Sequence, residues 1–163
     1  MNLLKNINYF ILCFFVLVIE MTAGKYLSIF GTVPMLSFCL CLVIAQKEKN
    51  ENYIITISII LGLILDLLLD HGLGFYAVTF TLSAMSTYYL RDITFSSRML
   101  FLVFNTFILT ILVCVLYYIF HILDIRASFW SIFVNIVIPV SIYNVFISIL
   151  FYFILNKLFY KRR

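Results

Sequence analysis

Long apolar runs alternate with short polar breaks along the whole chain. Six runs come near or within the ~17–25 residues that a helix needs to cross a bilayer. They cover residues 7–23, 26–45, 53–69, 73–90, 99–123 and 128–155. The breaks at 24–25, 46–52, 70–72, 91–98 and 124–127 are too short to hold a soluble domain. The pattern predicts one polytopic transmembrane domain over 1–163. Stretches such as Ile59-Ile60-Leu61-Gly62-Leu63-Ile64-Leu65 do not alternate in polarity as the strands of a membrane barrel do. In hydrocarbon the remaining way to pair every backbone N–H and C=O is the helix. The expected fold is an all-α membrane protein, a six-helix transmembrane bundle. The first run follows Lys5 like a signal peptide, but its length and Glu20 favour a retained span.

Composition sharpens this. Of 163 residues, 65% are apolar and 11% charged, and the mean hydropathy is +1.16. Ordinary soluble domains carry about 25% charged residues, so a soluble enzyme and a disordered chain are both excluded. The net charge of +4 is scattered over short loops and a basic tail, which leaves no basic face for nucleic acid. Cys13, Cys39, Cys41 and Cys114 lie within apolar runs and read as small hydrophobes. Cys39 and Cys41 are two apart, so on a helix they point in different directions and make a poor metal site. No metal or cofactor is expected.

Lys and Arg also set an orientation. With the N-terminus inside, the inner segments carry nine basic residues: Lys5, Lys47, Lys49, Arg91, Arg98, Lys157, Lys161, Arg162 and Arg163. The outer loops carry two, Lys25 and Arg126. Six spans return the C-terminus to the same side, so the expectation is N-in and C-in, in a multi-pass protein of the inner-membrane type.

Ionisable groups inside spans need a reason. Ser58, Gly62, Asp66 and Asp70 recur every four residues and share a helix face. Asp66 on that face either pairs with a cation, partner or substrate, or bonds neighbouring backbone or serine. Glu20, Lys25, Asp66, Asp70 and His71 are expected at the outer ends, where they could form one polar cluster. No nucleophile stands beside a base, and no helical metal spacing occurs, so no catalytic residue is assigned. His121 reads as interfacial. The fourth run is rich in Ala, Ser and Thr, which marks helix packing. Pro139 should kink the sixth run and deprive the Asn135 carbonyl of its donor, while Asn144 and Ser148 share a face that could bond another helix. Pro34 should break the start of the second run. Lys161, Arg162 and Arg163 form a basic cytoplasmic tail suited to anionic lipid.

The run Gly62-Leu63-Ile64-Leu65-Asp66-Leu67-Leu68-Leu69-Asp70-His71-Gly72-Leu73-Gly74-Phe75-Tyr76-Ala77 resembles the signature of the rod shape-determining MreD family. Pro34 at the start of the second run, Pro139 in the sixth and Ile142-Tyr143-Asn144 after it fit the same family, as does the length. The resemblance implies a non-catalytic inner-membrane scaffold or regulator of the bacterial elongation complex. It implies as partners an MreC-like bitopic protein and the wall synthases RodA and penicillin-binding protein 2, with MreB filaments reached indirectly. It also implies a fold similar to the S-component of energy-coupling-factor transporters. Gly62, Asp66, Gly74, Pro34, Pro139 and Asn144 are then the candidate structural or partner-binding residues. A second function remains open, that of a small-molecule-binding membrane subunit of a transporter, drawing on Glu20, Asp66, Asn135 or Asn144.

Overall fold

The computed structural model describes residues 2–23, 26, 32–69, 74–92, 97–121 and 129–160. Every element of regular structure there is helical: α1 (Asn2–Ala23), α2 (Leu36–Lys47), α3 (Glu51–Leu69), α4 (Phe75–Leu90), α5 (Arg98–His121), α6 (Phe129–Ile132) and α7 (Ile138–Leu155). A π-helical turn, Phe133–Val137, joins α6 to α7, and a second, Asn156–Tyr160, extends α7. The backbone stays right-handed helical through each junction, so α6, α7 and the two turns form one rod. The described residues thus form six helical rods. Three stretches are long and apolar enough to cross a membrane: Glu51–Leu69, Arg98–Phe120 and Trp130–Leu158.

Pro139 explains the first π turn. It has no N–H to give the carbonyl of Asn135. The adjoining N–H of Ile138 bonds the carbonyl of Phe133, five residues back. The expected disturbance takes the form of one widened turn inside a continuous rod.

The second helix differs most from the hydropathy pattern. The apolar run begins at Tyr26, yet α2 begins at Leu36 and spans twelve residues. Pro34 disfavours helical backbone at the residue before it, and Met35 (φ −90°, ψ 81°) is not helical either. At ~1.5 Å per residue α2 is about 18 Å long, against a hydrocarbon core of ~30 Å. Eleven of its twelve residues are buried, because α1, α3, α4, α5 and α7 all pack against it. A helix apolar on every side belongs at the centre of a structure, and α2 sits there.

The exterior is apolar, unlike that of a soluble protein, and small polar residues are buried within an apolar core. Thr87, Thr106, Thr110, Ser141, Asn144 and Ser148 are fully buried. Phe14, Leu67, Leu82, Phe120, Phe146 and Trp130 stand exposed. Thr106 pairs with Ser148 and Thr110 with Asn144, which joins α5 to α7 through hydroxyl and amide contacts. A surface of large apolar side chains, around an apolar core in which small polar side chains pair between helices, suits lipid as the solvent. The start of α1 and the end of the last rod lie side by side: Asn8, Ile11, Leu12, Phe15 and Leu158 line one groove. Both ends of the described chain therefore occupy the same end of the bundle, as an even number of rods requires.

Candidate functional site

α3 and α4 form a tight hairpin, and glycine sets its closeness. A Cβ placed on Gly62 would lie 2.3 Å from the Ala77 Cα and 2.5 Å from the Ala77 nitrogen. Both are backbone atoms, so no rotamer change could make room. One turn further along the same face is Asp66, 2% exposed. Its Oδ1 accepts the N–H of Tyr76 at 2.8 Å. Its Oδ2 accepts those of Gly74 at 3.0 Å and Ala77 at 3.1 Å. These are orphan donors at the N-terminus of α4.

The N-cap residue of α4 cannot supply this itself. Gly74 has no side chain, and its φ of +110° is a conformation that L residues rarely adopt. Asp66 therefore acts from α3 as the N-cap of α4, and its negative charge faces the positive end of that helix dipole. Gly62, Asp66 and Gly74 work as one device: the first permits the approach, the second satisfies the donors, the third makes the turn.

The same arrangement recurs at α2. Met35, its N-cap, makes no side-chain capping bond. Glu20 reaches in from α1, and its Oε2 accepts the N–H of Ser37 at 2.9 Å together with the Ser37 hydroxyl. Asn144 reaches in from α7, its Oδ1 accepting the N–H of Met35 at 3.0 Å. The Asn144 amide donates to Thr110 Oγ1, and its backbone carbonyl accepts from the Cys39 thiol.

The other end of α2 is held by a cation. Arg91, just after α4, donates to the carbonyls of Ala45 (3.0 Å), Gln46 (3.3 Å) and Glu48. Its guanidinium lies over the Tyr88 ring, 4.4 Å from the centroid. Gln46 donates to the Arg98 carbonyl. Lys47 donates to Asn156 Oδ1 at 2.5 Å and covers the Tyr152 ring. An anion at the N-terminus and a cation at the C-terminus both match the helix dipole.

The expected outer cluster is placed in two parts. Glu20 serves α2 and Asp66 serves α4. Lys25, Asp70 and His71 lie outside the described residues, as do Lys161, Arg162 and Arg163. Glu20 also borders a cleft of about 320 Å³, whose other walls are Met21, Val33, Pro34, Met35, Leu65, Leu69, Tyr76 and Phe80. Pro34 is buried there, and Pro139 stands in the first turn of α7. Asn135 is exposed and bonds Ser131 one turn away. Among the described residues no three His, Cys, Asp or Glu side chains come together as metal ligands. Arg91 and Gln46 went unnoticed in the sequence as contact residues. Neither carries a local signal of that role, because the carbonyls they bond lie more than forty residues away along the chain.

A family model described as rod shape-determining protein MreD matches residues 4–162. The chain belongs to the MreD family. Membership gives it a role in rod shape determination and involvement in the rod complex. The MreD family is a shape-determining protein family and is not known for an enzyme activity. No curated protein and no solved structure matched the chain. Four of the residues on which the family likeness was drawn, Gly62, Asp66, Gly74 and Asn144, are the ones that close α3 on α4 and hold the start of α2.

Proposed function

We propose that this chain is a non-catalytic scaffold of the inner membrane that binds an MreC-like bitopic protein and thereby supports lateral wall synthesis by RodA and penicillin-binding protein 2. MreB filaments are connected through those partners, and both chain ends face the cytoplasm. One observation carries the reading beyond family membership. Glu20 of α1 and Asp66 of α3 are committed to the starts of neighbouring helices. What the described rods offer to the outside is apolar helix surface, which suits partner helices within the bilayer. The test is recovery of tagged full-length protein from its native membrane in mild detergent, followed by mass spectrometry. An MreC-like protein together with a wall synthase is the expected result. Transport ATPases without a wall-synthesis partner would overturn it.

A second reading has its own observation, the cleft beside Glu20. An enclosed carboxylate at the wall of an apolar cleft is how a small-molecule-binding subunit of the S-component type would hold a solute. A screen of small solutes against the purified protein, read as a shift in melting temperature, separates the two readings. Stabilisation by a solute and its loss in Glu20→Gln would favour transport over scaffolding.

A further inference from the structure

The groove between the start of α1 and the end of the last rod has no part in the helix-end contacts above. It measures about 380 Å³ and is lined by Asn8, Ile11, Leu12, Phe15 and Leu158. The four α1 residues fall at i, i+3, i+4 and i+7, so they form one strip. That strip is polar at Asn8 and apolar for the next two turns, about 10 Å towards the middle of the bundle. Ile11, Phe15 and Leu158 are each about 60% exposed. Lys157, next to Leu158, is exposed. In the sequence Lys5 precedes Asn8 by three residues, and Lys161, Arg162 and Arg163 follow Leu158.

A partner for this surface must be apolar in the direction of the bilayer centre and negative at the helix ends. We propose that the groove is a binding site for one anionic phospholipid. Its acyl chain lies along Ile11, Leu12, Phe15 and Leu158. Its phosphate lies at the level of Asn8 and Lys157, where an amide and an ammonium donate to it. A zwitterionic lipid has the same chains and phosphate but no net charge, so charge decides between the two.

The experiment uses full-length protein stripped of lipid in a neutral detergent. It is titrated separately with phosphatidylglycerol and with phosphatidylcholine of matched chains, and adducts are counted by native mass spectrometry. Phosphatidylglycerol should bind about fivefold more tightly or better, as expected for one basic contact or more. Lys157→Gln should reduce that preference. Ile11→Trp, which fills the groove, should weaken both lipids. Phosphatidylglycerol with a photoactivatable acyl chain should label residues 11–15 and Leu158 of the unaltered protein. That arm stands even where a variant folds poorly. Equal affinity for the two lipids overturns the proposal. So does labelling elsewhere, or a phosphatidylglycerol preference unmoved by both substitutions. Labelling lost when a second copy or a partner protein co-purifies would assign the groove to that protein instead.

Discussion

At the residue scale, Asp66 is the side chain with the most depending on it. Removing its carboxylate leaves three N–H groups of α4 without an acceptor in a place water does not reach. Asp66→Ala should cost about 3–5 kcal/mol, the range for an uncompensated buried charged partner. Asp66→Asn keeps one capping oxygen and should fall between the two. Thermal unfolding in detergent and the yield of folded protein measure the order. The two glycines should separate by mechanism. Gly62→Ala drives a methyl into the Ala77 backbone and should cost about 3 kcal/mol or more, as severe overpacking does. Gly74→Ala meets open space and should cost about 1–2 kcal/mol of backbone strain alone, with Gly74→Asn milder still. Equal losses at the two positions would refute the steric account. The i, i+4 spacing of Gly62 and Asp66 was readable in the sequence, because one-turn periodicity is local. The partners of Asp66 were not, because Tyr76 and Ala77 reach it only once α4 has folded back.

At the element scale, α2 shows what hydropathy hides. The apolar run from Tyr26 continues smoothly across Pro34, so composition alone carries a helix through Pro34 and Met35, where the backbone is not helical. Backbone chemistry stops it at Leu36, and a helix of about 18 Å then starts within the bilayer. Such a start is tolerated only when its N–H groups are satisfied by protein, here by Glu20 and Asn144. In the sequence Arg91 is one more inner positive charge; its three carbonyl acceptors are a tertiary fact with no local signature. Arg91→Ala should cost about 2–4 kcal/mol, since it removes charge-assisted bonds and a stacked cation together. Arg91→Lys should recover less than half of that, because an ammonium lacks the planar fork. Hydrogen exchange at Ala45–Glu48 backbone amides would locate the loss at the end of α2.

At the scale of the whole molecule, the six rods were legible because long apolar runs are a strong and simple signal. Their arrangement around α2 was not, since nothing in a run's composition says which other runs surround it. Lys47, Arg91 and Lys157 all lie at the end shared by both ends of the described chain, in keeping with the charge asymmetry of nine against two. Fusions of a cytoplasm-active fluorescent reporter to each terminus should therefore both glow, and fusions of a periplasm-active phosphatase to each should both be silent. A split result would reverse the proposed orientation. The central position of α2 also bears on how the protein is made. Its N-terminus is completed by Glu20, which leaves the ribosome before it, and by Asn144, which leaves about a hundred residues after it. A helix too short to partition into lipid alone must wait for its last partner while about a hundred further residues are made. Assembly around α2 is then completed by the sixth rod, and until that rod arrives the second helix is held at that end by Glu20 without Asn144.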